Sequence, residues 1–184
     1  MRGPVAALAL ALALSGPASS APDYADARIT AFEVRSADGV LSVSYRVEGA
    51  LPDLVVERLQ SGFELRYEHR VELVSKRAWW ANRVWELAVF ETAASYDSLT
   101  HRYVVERQAP GVGGSEVADR RVTESLDDVV AFLTEVRELR VAVPAEFPAG
   151  EPLEVRVSCR LGRRWLLWMF PASWSVQARA EVVR

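Results

Sequence analysis

The sequence predicts a mainly β protein, a two-sheet immunoglobulin-like β-sandwich of about seven antiparallel strands with two short helices. Three observations lead there. Polar and apolar residues alternate along much of the chain, turn-forming residues separate the alternating runs, and only two segments carry a helical stripe. No internal repeat points to a propeller or solenoid.

The first two strands lie around Phe32 and Val34, and along Leu41, Val43, Tyr45 and Val47 with Ser42, Ser44 and Arg46 between them. Period two places one set on a core face and the other in water, and Ser36 to Gly39 supplies turn chemistry. A helix of about three turns follows. Pro52 suits a first helical position, Asp53 favours the dipole, Leu51, Leu54, Val55 and Leu59 share a face, and Gly62 can end it.

The clearest strand runs from Phe63 through Leu65, Tyr67, His69, Val71 and Leu73, alternating with Glu64, Arg66, Glu68, Arg70 and Glu72. Its wet face alternates acid and base, which suits cross-strand pairing in an antiparallel sheet. Strands at Val84 to Thr92 and Thr100 to Glu106, joined by the polar turn Ser95 to Ser98, complete a meander. Residues Gln108 to Arg121, with Pro110 and three glycines, read as a mobile loop. A second helix starts at Ser125 as cap, with Leu126, Val129, Val130, Leu133 and Val136 on one stripe. After a proline-rich stretch from Val141 to Pro152, strands are expected through Leu153, Val155, Val157, Cys159 and Leu161, and at Trp174 to Ala178.

The N-terminus carries a different signal. Arg2 precedes an apolar run from Val5 to Leu14, then Gly16, Pro17 and the small residues Ala18 to Ala21, the pattern of a secretory signal peptide. The run is shorter than the about 20 residues a membrane span needs. Residues 1–21 are therefore expected to be removed, with cleavage between 18 and 21: Pro22 hinders a cut after Ala21, so cuts after Ala18 or Ser20 compete. No cysteine near this site supports a lipoprotein anchor. Residues 22–184 then form a single domain outside the cytoplasm, in the periplasm, able to bury roughly 70% of its unfolded surface. Of the 22 basic residues, 21 remain beside 25 acidic ones, a formal charge of −4 that disfavours nucleic acid as a partner. The lone Cys159 offers no internal disulfide, so packing must supply stability.

Taken together, certain motifs resemble an uncharacterised family of Gram-negative envelope proteins, domain of unknown function 4390. They are Asp38-Gly39-Val40-Leu41 with Ser44, Leu51-Pro52 with Leu59-Gln60-Ser61-Gly62, Arg77 with Trp79-Trp80, Tyr96-Asp97-Ser98-Leu99-Thr100 with Tyr103, and Leu126-Asp127-Asp128. The chain departs from the family at Ala81-Asn82, where an acidic residue is usual, and in the stretch Trp165 to Phe170. The resemblance implies a secreted all-β domain with no assigned activity. It also implies an association with envelope sensing, and a sensor kinase as a candidate partner.

The residues themselves show no catalytic, cofactor or metal arrangement. Two histidines and one cysteine are too few for the usual zinc ligand sets. His69 takes an inward strand position, that of a core histidine. His101 stands beside Asp97, but groups confined to one turn and its flanking strand do not make a triad, and Asp97 is expected to accept backbone hydrogen bonds there. Cys159 shares inward parity with Val155 and Val157 and is expected to be inert. Gly111 to Gly114 lacks the Lys and Ser or Thr of a phosphate loop.

Two surfaces remain as binding candidates. Trp79, Trp80 and Trp85 cluster near Arg77 and Arg83, and adjacent Trp79 and Trp80 face opposite sides if extended. Such a surface suits a protein partner or a sugar. The second is Arg160, Arg163 and Arg164 followed by Trp165 to Phe170, including Trp168, in an acid-free stretch from Val155 to Ala180 that suits a partner or an anionic membrane face. The expectation is an exported non-catalytic interaction module of the bacterial envelope that contacts an envelope protein. The alternative is a small-ligand or glycan-binding domain that uses the tryptophan-lined surface.

Overall fold

A computed structural model describes residues 24–37, 39–75, 82–111, 114–143, 153–166 and 170–182. Residues 1–21, the expected signal peptide, lie outside them. In chain order the elements are β1 (Arg28–Ala37), β2 (Val40–Glu48), α1 (Asp53–Gln60), β3 (Leu65–Ser75), β4 (Arg83–Asp97), β5 (Arg102–Gly111), β6 (Gly114–Thr123), α2 (Leu126–Thr134), β7 (Glu135–Ala142), β8 (Leu153–Leu166) and β9 (Phe170–Val182). A three-stranded sheet has the order β1-β2-β7, and a six-stranded sheet the order β6-β5-β4-β3-β8-β9. Every pairing is antiparallel.

The alternating runs become strands with one face in a shared core. Leu41, Val43, Tyr45 and Val47 of β2 are buried, as are Tyr67, Val71 and Leu73 of β3 and Val155, Val157, Cys159 and Leu161 of β8. On the outer face of the larger sheet, Glu68 pairs with Arg160 at 2.9 Å and Arg70 bridges Glu68 and Glu86, each at 3.1 Å. These partly exposed pairs fix register more than they stabilise, since surface ion pairs are worth about 1 kcal/mol or less.

Helix α1 buries Val55 and Leu59. Pro52 stands one position before the helix, as its N-cap, because its ψ of 158° is still extended. Gly62, at φ 89°, closes the other end, its N–H donating to the Leu59 carbonyl. Gly49 has a stricter role. Its φ is 69°, and a Cβ there would sit 2.7 Å from the Asp26 carbonyl oxygen, so only glycine fits between β2 and the chain leading into β1. Ser125 caps α2 by accepting from the Asp128 N–H at 3.4 Å.

Strand β4 runs on through Ser95 and Tyr96 to Asp97, past the expected end at Thr92, and two further segments add strands, so the described residues hold nine where about seven were expected. Residues 108–121 are not a loop: β5 runs to Gly111 and β6 returns from Gly114, with Pro110 opposite Ser115. The strand lacks apolar alternation because its inward positions, in register with Arg107, Val105 and Tyr103, are the polar residues Asp119, Arg121 and Thr123. The second helix ends at Thr134 rather than carrying Val136, and the chain passes directly into β7. Val136 and Val141 are buried from that strand, next to β2.

Candidate functional site

Three places bear on function: a buried polar node, the arginine and tryptophan surface, and an arginine-lined cleft.

The node is built on His69. Inward parity on β3 carries its ring into the core, where it is fully buried. Nδ1 lies 2.9 Å from the Tyr45 hydroxyl of β2, in the opposite sheet, and Nε2 lies 3.0 Å from the carbonyl oxygen of Leu133 near the end of α2. A carbonyl only accepts, so Nε2 carries the proton and Nδ1 accepts from Tyr45; this assigns the neutral tautomer from the network. Thr92 donates to the same carbonyl at 3.3 Å, and Phe90 stacks on the ring with centroids 4.9 Å apart. Burial pulls the His69 pKa down to about 4, outweighing the Leu133 hydrogen bond. Burial also pushes the Cys159 thiol up to about 12, which keeps it a thiol and a poor nucleophile. The node ties two sheets and a helix end together, using a carbonyl that the end of α2 would otherwise leave without an intrahelical partner.

His101 accompanies a turn. Its Nδ1 lies 3.0 Å from the Tyr96 hydroxyl. Asp97 is occupied by the turn itself, accepting from the Leu99 N–H at 2.9 Å and the Thr100 hydroxyl at 2.9 Å. These bonds lower its pKa, the Leu99 N–H most strongly. Among the described residues no group of three His, Cys, Asp or Glu side chains is placed to hold a metal.

Of the arginine and tryptophan surface, Arg77, Trp79 and Trp80 lie outside the described residues. Arg83 and Trp85 open β4, with the guanidinium 5.3 Å from the indole centroid. Arg83 is exposed and Trp85 half-buried against the core. In the second candidate surface, Arg160 is engaged by Glu68. The backbone of Arg163, Arg164 and Trp165 continues β8, and Arg164 and Trp165 lie opposite Ala172 and Pro171 of β9. Their side chains, and Trp168 altogether, lie outside the description. The segment is thus the distal part of a β-hairpin.

The cleft was not singled out by the sequence. It holds about 510 Å³ between β5, β6, α2 and the start of β7, with Arg107, Arg121, Asp128, Phe132, Glu135 and Arg137 in its wall. It exists because a three-stranded sheet cannot cover six strands, leaving α2 to roof the inner face of β5 and β6. Arg107 follows Tyr103 and Val105 on that face, and its guanidinium lies 5.4 Å from the Phe90 centroid and 5.3 Å from that of Phe132. Arg121 also stands over Phe132, at 5.5 Å. The carboxylates nearby are taken. Asp119, opposite Arg107 in register, is bound by Arg121 at 2.7 Å, and Glu135 by Arg137 and Arg46. Asp128 accepts from the Thr123 hydroxyl at 2.7 Å. Arg107 makes no ion pair among the described residues, and its buried Nε has no hydrogen-bond partner. Burial lowers its pKa. A charged residue at an inward strand position was the one available signal for this site.

A family model described as Domain of unknown function (DUF4390) matches residues 25–170. The chain belongs to that family. No curated protein and no solved structure matches it. The DUF4390 match spans both sheets and both helices and stops where β9 begins. Several residues on which the resemblance rested occupy structural posts: Asp97 organises a turn, Ser44 accepts from the Glu138 N–H at 3.0 Å, Leu59 and Tyr103 are buried, and Asp127 and Asp128 occupy the first turn of α2.

Proposed function

We propose that this DUF4390 chain is an exported, non-catalytic interaction module of the bacterial envelope, working in the periplasm against an envelope protein such as a sensor kinase. The observation that carries the reading is the contrast between sealed chemistry and open cations. His69 and Cys159, the groups best suited to start a reaction, are buried in a satisfied network, whereas Arg83 with Trp85 and the arginine cleft reach the surface. Aromatic and arginine side chains together are the usual anchors of protein interfaces. Export is supported by the sequence of residues 1–21, and among the described residues no helix is long and apolar enough to cross a membrane. An immunoglobulin-like arrangement is part of the proposal. Antiparallel pairing and a core shared by two sheets, split into three and six strands, support it.

Affinity capture from an envelope fraction tests the reading, with wild-type protein beside a folded Trp79→Ala, Trp80→Ala, Trp85→Ala variant. The expected result is one envelope protein held by the wild type, lost with the variant and recovered by reciprocal capture. Retention of nothing by the wild type would remove the interaction reading. The sequence places the second reading, a small-ligand or glycan-binding domain, on the tryptophan-lined surface; the cleft, with no tryptophan among the described residues of its wall, is the place whose volume favours it, lying in the range of ligand sites.

A further inference from the structure

We propose that the cleft between β5, β6, α2 and β7 is a carboxylate-binding site, with Arg107 as the residue that takes the carboxylate and Phe132 as the wall against its organic body. The inference goes beyond the interaction reading and does not require a captured protein partner.

The argument begins with charge. The cleft wall carries Arg107, Arg121 and Arg137 against Asp128 and Glu135, and just beyond it Arg46, paired with Glu135, and Asp119, paired with Arg121, add one charge of each sign. One positive charge is left over. It is assigned to Arg107 by geometry, since the other guanidiniums have carboxylate partners. A half-buried guanidinium whose Nε is shielded from water and unbonded is an unfavourable arrangement in isolation, which a ligand oxygen would relieve. Phe90 and Phe132 lie within cation–π distance of it, 5.4 and 5.3 Å from centroid to guanidinium carbon.

A single planar fork matches one carboxylate in bidentate fashion. A phosphate dianion would bring a second charge to a wall that still holds Asp128 and Glu135, and one unpaired guanidinium does not neutralise it. The cleft volume of about 510 Å³ leaves room for more than the carboxylate alone. Both a free organic acid and an acidic side chain of a bound peptide present this chemistry.

The test follows the Nε–H signal of Arg107 in proton–nitrogen correlation spectra of the purified protein, assigned by its loss in Arg107→Gln. Titrants are sodium benzoate, a blocked tripeptide with a central glutamate, inorganic phosphate and sodium chloride at matched ionic strength. The expected result is a saturable shift with benzoate or the tripeptide, at least about tenfold tighter than with phosphate or chloride. Signals elsewhere in the cleft should stop responding in Arg107→Gln. The tighter carboxylate identifies the source, a free acid for benzoate and a peptide side chain for the tripeptide. Should Arg107→Gln fail to fold, Arg107→Lys keeps the charge, removes the fork, and should weaken carboxylate binding by about tenfold. No saturable shift, an equal response to chloride or phosphate, or binding unchanged in the variant would overturn the proposal.

Discussion

His69 and Arg107 each bring a polar group into the space between layers, beside the ring of Phe90, yet their surroundings are opposite. Around His69 both ring nitrogens are engaged, and burial has driven the ring to its neutral form. Around Arg107 the charge persists, the nearby carboxylates are committed elsewhere, and Nε lacks a partner. A satisfied buried group fixes a structure, whereas an unsatisfied one beside an open cleft holds capacity for something that arrives later. On the carboxylate-site proposal, the difference separates a residue that serves the fold from one that serves binding.

The strongest way to break this comparison is to remove the node. His69→Ala opens a cavity, strands the Tyr45 hydroxyl and takes one of two donors from the Leu133 carbonyl, so a loss of about 4 kcal/mol in urea unfolding is expected. A loss below about 1 kcal/mol would mean the node is not structural. Acid probes the same residue without mutation. Its pKa falls from 6.5 to about 4 on folding, so the unfolded chain binds the proton more readily. The stabilisation from keeping His69 neutral is present above pH 6.5 and is lost as pH falls toward about 4, a contribution of about 3 kcal/mol. Urea midpoints across that window should drop in the wild type, with this part of the slope missing from a folded His69→Gln variant.

Finer changes sharpen the comparison. Tyr45→Phe leaves Nδ1 buried without its donor and should cost about 2 kcal/mol, read from the same unfolding curves. Thr92→Val keeps shape and removes one of two donors to the Leu133 carbonyl, so about 1 kcal/mol is expected.

Much of the node was legible in the sequence, and little of the cleft was. Parity along β3 and β8 placed His69 and Cys159 inward, because a strand buried on one face writes its period into the residues. The partners of His69 were not legible, since Tyr45, Thr92 and Leu133 come from three other elements. Strand β6 was not legible because its inward residues, Asp119, Arg121 and Thr123, are polar and border the cleft, and the glycines at its turn read as a loop. The helix stripe through Val136 misled because a strand beginning directly after α2 also buries that residue.

The most direct test of the contrast is the urea stability of Arg107→Leu beside wild type. If Arg107 is retained for binding, losing an unpaired half-buried guanidinium offsets the lost cation–π contacts, and stability should stay within about 1 kcal/mol of wild type. A loss of about 2 kcal/mol or more would show that Arg107, like His69, is held for the fold, and would contradict the account.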